Sequence, residues 1–356
     1  MNEIRIAYGK VLKWNKWNKI SYLLDMFKTP AWREIEEVED LELQELAQLL
    51  PAIVLSSRAV KKYSGAFLRW KRWATQKCGE ACFPAQPLQV ALYLTYLIQK
   101  SSTDASVVEA VNAISWVHQV AIADDPTQNK LVRQVLTGAK RILAHRITKK
   151  EPITPEILTQ LVDKFAKEDA ELDNVRIVTI CLLGFAGFLR FSELEALKES
   201  DLQVFNNHLE LFIESSKTDQ YRDGAWVTIA RTGSRICPVG MVQRYIKLAD
   251  ITASPDLHLF RGIIRTKNGV KLRPKGSLSY TRMRELLLEK LAQVGLDPKD
   301  YGLHSLRAGG ASAAANAGVP DRLFKRHGRW RSENAKDGYV KDSLSKRLEV
   351  TKDIGL

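Results

Sequence analysis

The chain has 356 residues, of which 45% are hydrophobic and 27% charged. That balance fits a folded protein of two or three domains and excludes a mainly disordered one. Lys and Arg number 54 against 41 Asp and Glu, a formal charge of +13, which favours a polyanionic partner, nucleic acid before an anionic membrane. The longest uncharged apolar run, residues 178–189, is shorter than the roughly 20 residues a bilayer span needs, so no membrane partner is expected. The start of the chain lacks an apolar signal core, and four cysteines make no disulfide framework at this length. An intracellular, reducing location is expected.

In chain order, residues 1–50 read as an N-terminal arm with 7 basic and 9 acidic residues. Trp14 and Trp17 alternate there with Lys13, Lys16 and Lys19, and residues 34–50 predict one acidic amphipathic helix. The arm either packs on the neighbouring helical domain or touches a polyanion. Residues 51–150 hold 15 basic and 5 acidic residues, so most of the surplus sits in one block, as in a separate domain that grips nucleic acid. Four helices are predicted there, within a domain spanning 51–146. The first, 58–77, comes after an N-cap at Ser56-Ser57 and spaces Tyr63, Phe67, Trp70 and Ala74 along one face. The others are 88–100 after Pro84 and Pro87, a third from Asp104 or Ser106 to 120, and 127–146 opened by Asp125-Pro126. Arg69, Lys71, Arg72, Arg133, Lys140 and Arg141 are the candidate polyanion contacts; each reads equally as a solvated charge. Cys78 and Cys82 are read as two buried thiols rather than the start of a metal site, and no metal is expected.

Residues 147–155 hold Lys149-Lys150 and the prolines Pro152 and Pro155, which predicts an extended linker. Beyond it, 155–167 and 174–188 predict helices, and 208–214 and 225–230 alternate as strands. A polar hairpin connection containing Lys217 joins the strands, and helices return at 239–248, 279–294, 305–317 and 320–325. The expected fold class is mainly α: a four-helix bundle, then a mixed α/β domain over 156–345 with a small antiparallel sheet, and a tail over 346–356.

Several positions carry chemistry. Arg190 and Glu193 come directly after the apolar helix and read as a local ion pair or as a site. His304 and Arg307 share one helix face near a helix start, a phosphate-type arrangement or a cap beside a surface charge. The small residues Ala308-Gly309-Gly310-Ala311 allow close helix packing or close approach to a ligand. Trp330 and Tyr339, each alone, read as packing aromatics, and His327 as a structural or phosphate-contacting residue.

Together the order Arg190, Glu193, Lys217, His304-x-x-Arg307, Trp330, Tyr339 resembles the tyrosine recombinase (phage-integrase-like) family. The stretch 187–197 looks like that family's first arginine box. Residues 304–339 look like its second, with steps of 3, 23 and 9 residues. The resemblance spans roughly 55–345 and implies a core-binding bundle and a catalytic domain that together clamp double-stranded DNA. It implies a site-specific recombinase, or integrase, of a mobile element, a homodimer on one site and a homotetramer in the synaptic complex, DNA-associated in a nucleus, nucleoid or cytoplasm. Its type IB topoisomerase cousins, and a catalytically silent DNA binder of the same fold, are the alternatives.

The chemistry suits these residues. Two guanidiniums, Arg190 and Arg307, match the non-bridging oxygens of a phosphodiester in its pentacoordinate transition state. Tyr339 is the nucleophile that forms a phosphotyrosine link. His304 is its base and Lys217 the acid for the leaving 5′-oxygen. Trp330 donates its indole N–H to phosphate, and Glu193 orients His304 or Arg190. No cofactor is required.

Overall fold

The structure, a computed structural model, describes residues 21–36, 39–55, 58–79, 82–145, 149–214, 224–267 and 269–354. The chain divides into two compact units, Met1–Ile147 and Thr148–Leu356. The tryptophans and lysines of residues 13–19, the Ser56-Ser57 cap and Lys217 lie outside the described residues.

The first unit is helical: α1 (Pro30–Glu36), α2 (Leu41–Leu55), α3 (Arg58–Cys78), α4 (Pro87–Lys100), α5 (Ala105–Val120) and α6 (Lys130–Ile142). The stripe foreseen on α3 forms the core, with Phe67, Trp70 and Ala74 buried while Arg69 and Arg72 stay in solvent. Val107, Ala110, Ile114 and Val117 of α5 pack in the same cluster. Leu23 and Met26, from a tight turn at Ser21–Phe27, are buried there too. Thr29 Oγ1 donates to the Ala121 carbonyl at 2.6 Å and Trp32 Nε1 to Val120 at 2.9 Å, fastening this segment to the end of α5.

Three details differ from the sequence reading. The single helix expected over 34–50 is two, because Asp40 accepts the Leu43 N–H at 3.0 Å and starts α2 afresh. The helix expected from 127 begins at Lys130. Asp125 caps a separate turn at Pro126–Gln128, and Asn129, extended, accepts from the Leu131 N–H at 2.9 Å. Cys78 is exposed at the end of α3; only Cys82 of that pair is buried.

The second unit surrounds α8 (Leu172–Ala186), a helix apolar on nearly every face and therefore buried. Around it stand α7 (Pro155–Phe165), α10 (Pro238–Ala249), α11 (Tyr280–Gln293) and α12 (His304–Asn316). The short helix α9 (Phe191–Ala196) leads to an antiparallel sheet of β1 (Leu202–Val204), β2 (His208–Ile213) and β3 (Ala225–Ala230) in that order. Leu209, Leu211 and Ile213 of β2 face the core, with Leu211 opposite Val227. A second hairpin, β4 (Ile263–Thr266) with β5 (Gly269–Leu272), was not foreseen; it is mostly exposed, and only the four-residue β5 alternates, with Val270 and Leu272 turned inward. α13 (Asp321–His327), α14 (Glu333–Asp337) and α15 (Leu344–Asp353) complete the chain. No described helix is long and apolar enough to cross a membrane.

The described part of the linker is tied down rather than free. Glu151 N–H donates to the Asp300 carbonyl at 2.7 Å, Ile153 N–H to Ser305 at 2.9 Å, and Ile153 is fully buried. It crosses α12 at Gly309, where any Cβ would run into the Ile153 backbone; at Gly310 a Cβ would run into the Phe185 carbonyl and the Phe188 ring. The small-residue stretch therefore serves close packing. Gly310→Val is expected to destabilise the second unit by about 1–3 kcal/mol through overpacking. Gly138→Ala, mid-helix in α6 with open space around the added carbon, is expected to stabilise the first by about 0.5–1 kcal/mol. Denaturant midpoints of the two transitions check both.

Candidate active site

The site forms where α8 ends. Gly187 closes the helix and Phe188 takes a left-handed backbone, φ 48°, which turns the chain so that Arg190 becomes the N-cap of α9. A bulky residue in that conformation is strained by about 1–3 kcal/mol and persists only where its surroundings hold it. Here the Phe188 ring is packed against His327, Trp330 and Phe324, with centroids 4.7, 5.8 and 5.9 Å away.

One turn on, Glu193 is fully buried. Its Oε2 accepts the Arg190 backbone N–H at 2.8 Å, which caps α9, and its Oε1 accepts Arg190 Nη1 at 2.8 Å. Arg329 Nη2 reaches Oε2 at 2.8 Å, and Arg307 Nη1 stands 3.9 Å from the same oxygen. Burial by itself would raise this carboxyl's pKa, but Arg329, the Arg190 N–H, Arg190 and Arg307 together outweigh it and hold the group below its ordinary value.

Arg307 comes from the first turn of α12, and its side chain is 0% exposed. Nη1 donates to the Phe188 carbonyl and Nη2 to Gly328 at 2.6 Å. Its guanidinium faces two adjoining rings, 4.8 Å from the centre of Trp330 and 4.9 Å from that of Tyr339. Burial, and then Arg190, bring its pKa down to about 10. Arg307 Nε and Trp330 Nε1 are both buried with no acceptor among the described residues. Unsatisfied buried donors of this kind each cost about 1–3 kcal/mol.

Tyr339 comes just after α14 and is half-buried. Ser312 of α12 receives the Lys341 N–H at 2.9 Å, which anchors the segment after the tyrosine. His304 and Tyr339 line one cavity of about 430 Å³, with Lys149, Lys150 and Lys341 on its walls. Glu151 lines it too and pairs with Lys341, so the three lysines leave the rim a net positive charge.

Arg190, Glu193, Arg307, Trp330 and Tyr339 thus form one connected cluster, with His304 in the adjoining cavity. The Glu193 carboxylate is engaged with Arg190, of the two partners foreseen for it, and with Arg307 and Arg329. His327 Nε2 lies 2.7 Å from the Ala186 carbonyl, so that nitrogen carries the proton, and burial lowers its pKa. Among described residues no group of His, Cys, Asp and Glu suits a metal ion.

Arg329 was missed as a site residue. It sits between Gly328 and Trp330 at φ 55°, a conformation that favours glycine, and its side chain is 8% exposed. Its Nη1 donates to the carbonyls of Gly187 at 3.2 Å and His327 at 2.9 Å, and Nη2 donates to Phe188 at 3.2 Å. The sequence shows only one more arginine in a basic tract.

The candidate polyanion contacts of the first unit lie at its surface. Arg69 pairs with Glu109 at 2.6 Å, Lys71 with Asp25, and Arg133 bonds Gln128. Arg72, Lys140 and Arg141 are exposed. On α6, Lys130, Arg133, Thr137 and Arg141 line a shallow groove of about 540 Å³.

Glu193→Gln is expected to destabilise the second unit by roughly 3–5 kcal/mol, because it leaves Arg329 buried without its counter-charge. The depressed carboxyl contributes stability that is present above its ordinary value of 4.5 and vanishes as pH falls through the lower folded-state value. Unfolding midpoints from pH 7 down to 2 should therefore converge between wild type and variant at the acid end.

No protein-family model matches the chain. An integrase/recombinase XerD homolog of Selenomonas ruminantium is 28% identical over 325 residues, covering 90% of this chain and 92% of the relative. The Cre recombinase of Escherichia phage P1 is 21% identical over 297 residues, covering 77% and 80%. Among solved structures, the XerH site-specific recombinase bound to palindromic difH substrate superposes with a TM-score of 0.56 at 14% identity, covering 95% of this chain and 88% of that one. The similarity extends along both units: over most of its length the chain is similar to recombinases and integrases.

Proposed function

We propose that the protein is a site-specific DNA recombinase that cuts and rejoins strands through a 3′-phosphotyrosine intermediate on Tyr339. The observation that carries this reading is the Tyr339 ring resting on the Arg307 guanidinium, 4.9 Å from it, with Arg307 tied through Glu193 to Arg190. A phenol is thereby held beside paired cations, the arrangement a phosphodiester displacement needs.

In the first step Tyr339 Oη attacks phosphorus and its proton passes to His304 across the shared cavity. The bond from phosphorus to the 5′-oxygen breaks, and that oxygen takes a proton from Lys217. In the second, a 5′-hydroxyl of the other DNA segment attacks the phosphotyrosine and the phenol leaves with its proton restored. The phosphoester bond is conserved throughout, so neither ATP nor a metal is needed. Arg190 and Arg307 take the charge that grows on the non-bridging oxygens, and Trp330 offers its unpartnered indole N–H to one of them. Engaging phosphate moves the Tyr339 ring off Arg307, which it covers in this arrangement. The relatives' recombinase names favour exchange between two sites over topoisomerase-type relaxation or silent binding.

Duplex DNA is held through the basic surplus of the first unit, with Arg69, Lys71, Arg72, Arg133, Lys140 and Arg141 as contacts. Most of them face phosphates, so the affinity falls steeply with salt. The protein works DNA-associated inside a cell, as a dimer on one site and a tetramer on two. Residues 346–356 support that assembly. Leu344, Leu348 and Val350 of α15 are exposed, and an apolar groove of about 510 Å³ at Trp226, Ala314, Val319, Leu323 and Phe324 is of a size to receive a few such side chains from a second copy.

Incubation with a nicked-site duplex and then denaturation should yield a protein–DNA adduct that Tyr339→Phe abolishes; an adduct that survives the substitution contradicts the nucleophile assignment. Deleting 346–356 should leave binding to one half-site unchanged while removing the slower-migrating complexes with two and four protomers. Unchanged assembly would rule out the tail's role.

A further inference from the structure

We infer that Arg329 is a positioning residue of this active site: its guanidinium holds Glu193 Oε2, and so leaves Arg307 available for the charge that develops on the scissile phosphate. The inference rests on the recombinase reading of the site.

Three observations carry it. First, Glu193 Oε2 is shared unequally, with Arg329 at 2.8 Å and Arg307 at 3.9 Å. Arg329, not Arg307, is the close counter-ion. Second, Arg329 keeps this contact at φ 55°, where a residue bearing a Cβ is strained. The same side chain grips the carbonyls of Gly187, Phe188 and His327, so it is locked to both segments that frame the site. Third, the charges balance. Arg190, Arg307 and Arg329 against Glu193 leave two net positive charges in a largely buried cluster. A phosphodiester carries one negative charge in its ground state and two in the pentacoordinate transition state. The cluster thus matches the transition state, and stabilisation specific to it raises the chemical rate rather than binding.

Without Arg329 one positive charge is lost, and the Glu193 carboxylate is free to close on Arg307. Ground-state binding of the DNA should then change little while cleavage slows. Removing the carboxylate as well returns the cluster to two positive charges. A residue that merely plugs the carbonyls of Gly187, Phe188 and His327 would show neither behaviour.

The test is single-turnover formation of the covalent adduct, run with an ordinary scissile phosphodiester and with an uncharged methylphosphonate in its place. Glycine suits the left-handed backbone, so Arg329→Gly removes the guanidinium without adding strain. It should slow cleavage of the phosphodiester by about 100-fold, the scale seen when one preorganised donor is lost. DNA affinity should stay within about threefold. The ratio of variant to wild-type rate should recover at least about tenfold on the methylphosphonate, whose transition state carries one negative charge fewer. Arg329→Gly with Glu193→Gln should regain most of the rate lost by Arg329→Gly, and Arg329→Lys, which keeps the charge, should show equal ratios on the two linkages. Equal loss by Arg329→Gly on both linkages, or a double variant slower than either single one, overturns the inference and makes Arg329 structural. Wild-type protein that forms no adduct overturns the recombinase reading instead.

Discussion

The second unit is organised around one buried carboxylate. Glu193 has no exposed surface, and a lone carboxylate cannot stay ionised there. It stays ionised because guanidiniums arrive from three places: its own N-cap, the first turn of α12, and the left-handed corner after α13. Each of those arginines also fixes a carbonyl or a cap, so the ion cluster and the backbone geometry support one another. The strained corners at Phe188 and Arg329 make sense only as parts of that arrangement. A buried ion cluster is weak support for stability in itself, since desolvation offsets much of the attraction. On the proposed function its value is placement: it puts fixed positive charge where a phosphate would otherwise meet a dry, apolar wall.

The rest of the unit is packed to serve this placement. α12 must lie close to α8 for Arg307 to reach both the Phe188 carbonyl and Glu193, and the glycines at 309 and 310 permit that approach. The incoming chain at Ile153 is pressed into the same contact, which also brings Lys149 and Lys150 to the wall of the cavity holding His304 and Tyr339. On the other side Trp330 fills the space between Phe188, Phe324 and Tyr339. The aromatic cluster sets the depth at which Arg307 sits, and the tyrosine covers it.

Much of this was legible in the sequence because the chemistry is written as spacing. A family resemblance, carried by steps of 3, 23 and 9 residues, grouped His304, Arg307, Trp330 and Tyr339; in the structure Arg307, Trp330 and Tyr339 are in contact and His304 lines the adjoining cavity. In the first unit α3 was announced by a stripe of Tyr63, Phe67, Trp70 and Ala74. What escaped was whatever depends on contacts distant in sequence. Arg329 looks like one more basic residue in a charged tract, and only the fold shows that it is buried on Glu193. In the β4–β5 hairpin Ile264, Arg265 and Thr266 are all exposed, and the alternation of Val270 and Leu272 in β5 is too short to announce a strand. The split between α1 and α2 rests on a single side-chain cap at Asp40, a choice that local propensity does not decide. The linker reads as extended, and residues 149–154 lie outside any helix or strand, but their pairing with Asp300 and Ser305 is a tertiary fact.

The most direct test of the charge arrangement is a structure of the Tyr339→Phe protein on an intact DNA duplex containing its cleavage site. The expected result places the scissile phosphate's two non-bridging oxygens within hydrogen-bond distance of Arg190 and Arg307. It also keeps Arg329 on Glu193 and swings the ring at position 339 from Arg307 to face phosphorus. A phosphate bound by Arg329 with Glu193 released, or a ring at 339 that stays on Arg307 far from any phosphorus, would contradict it.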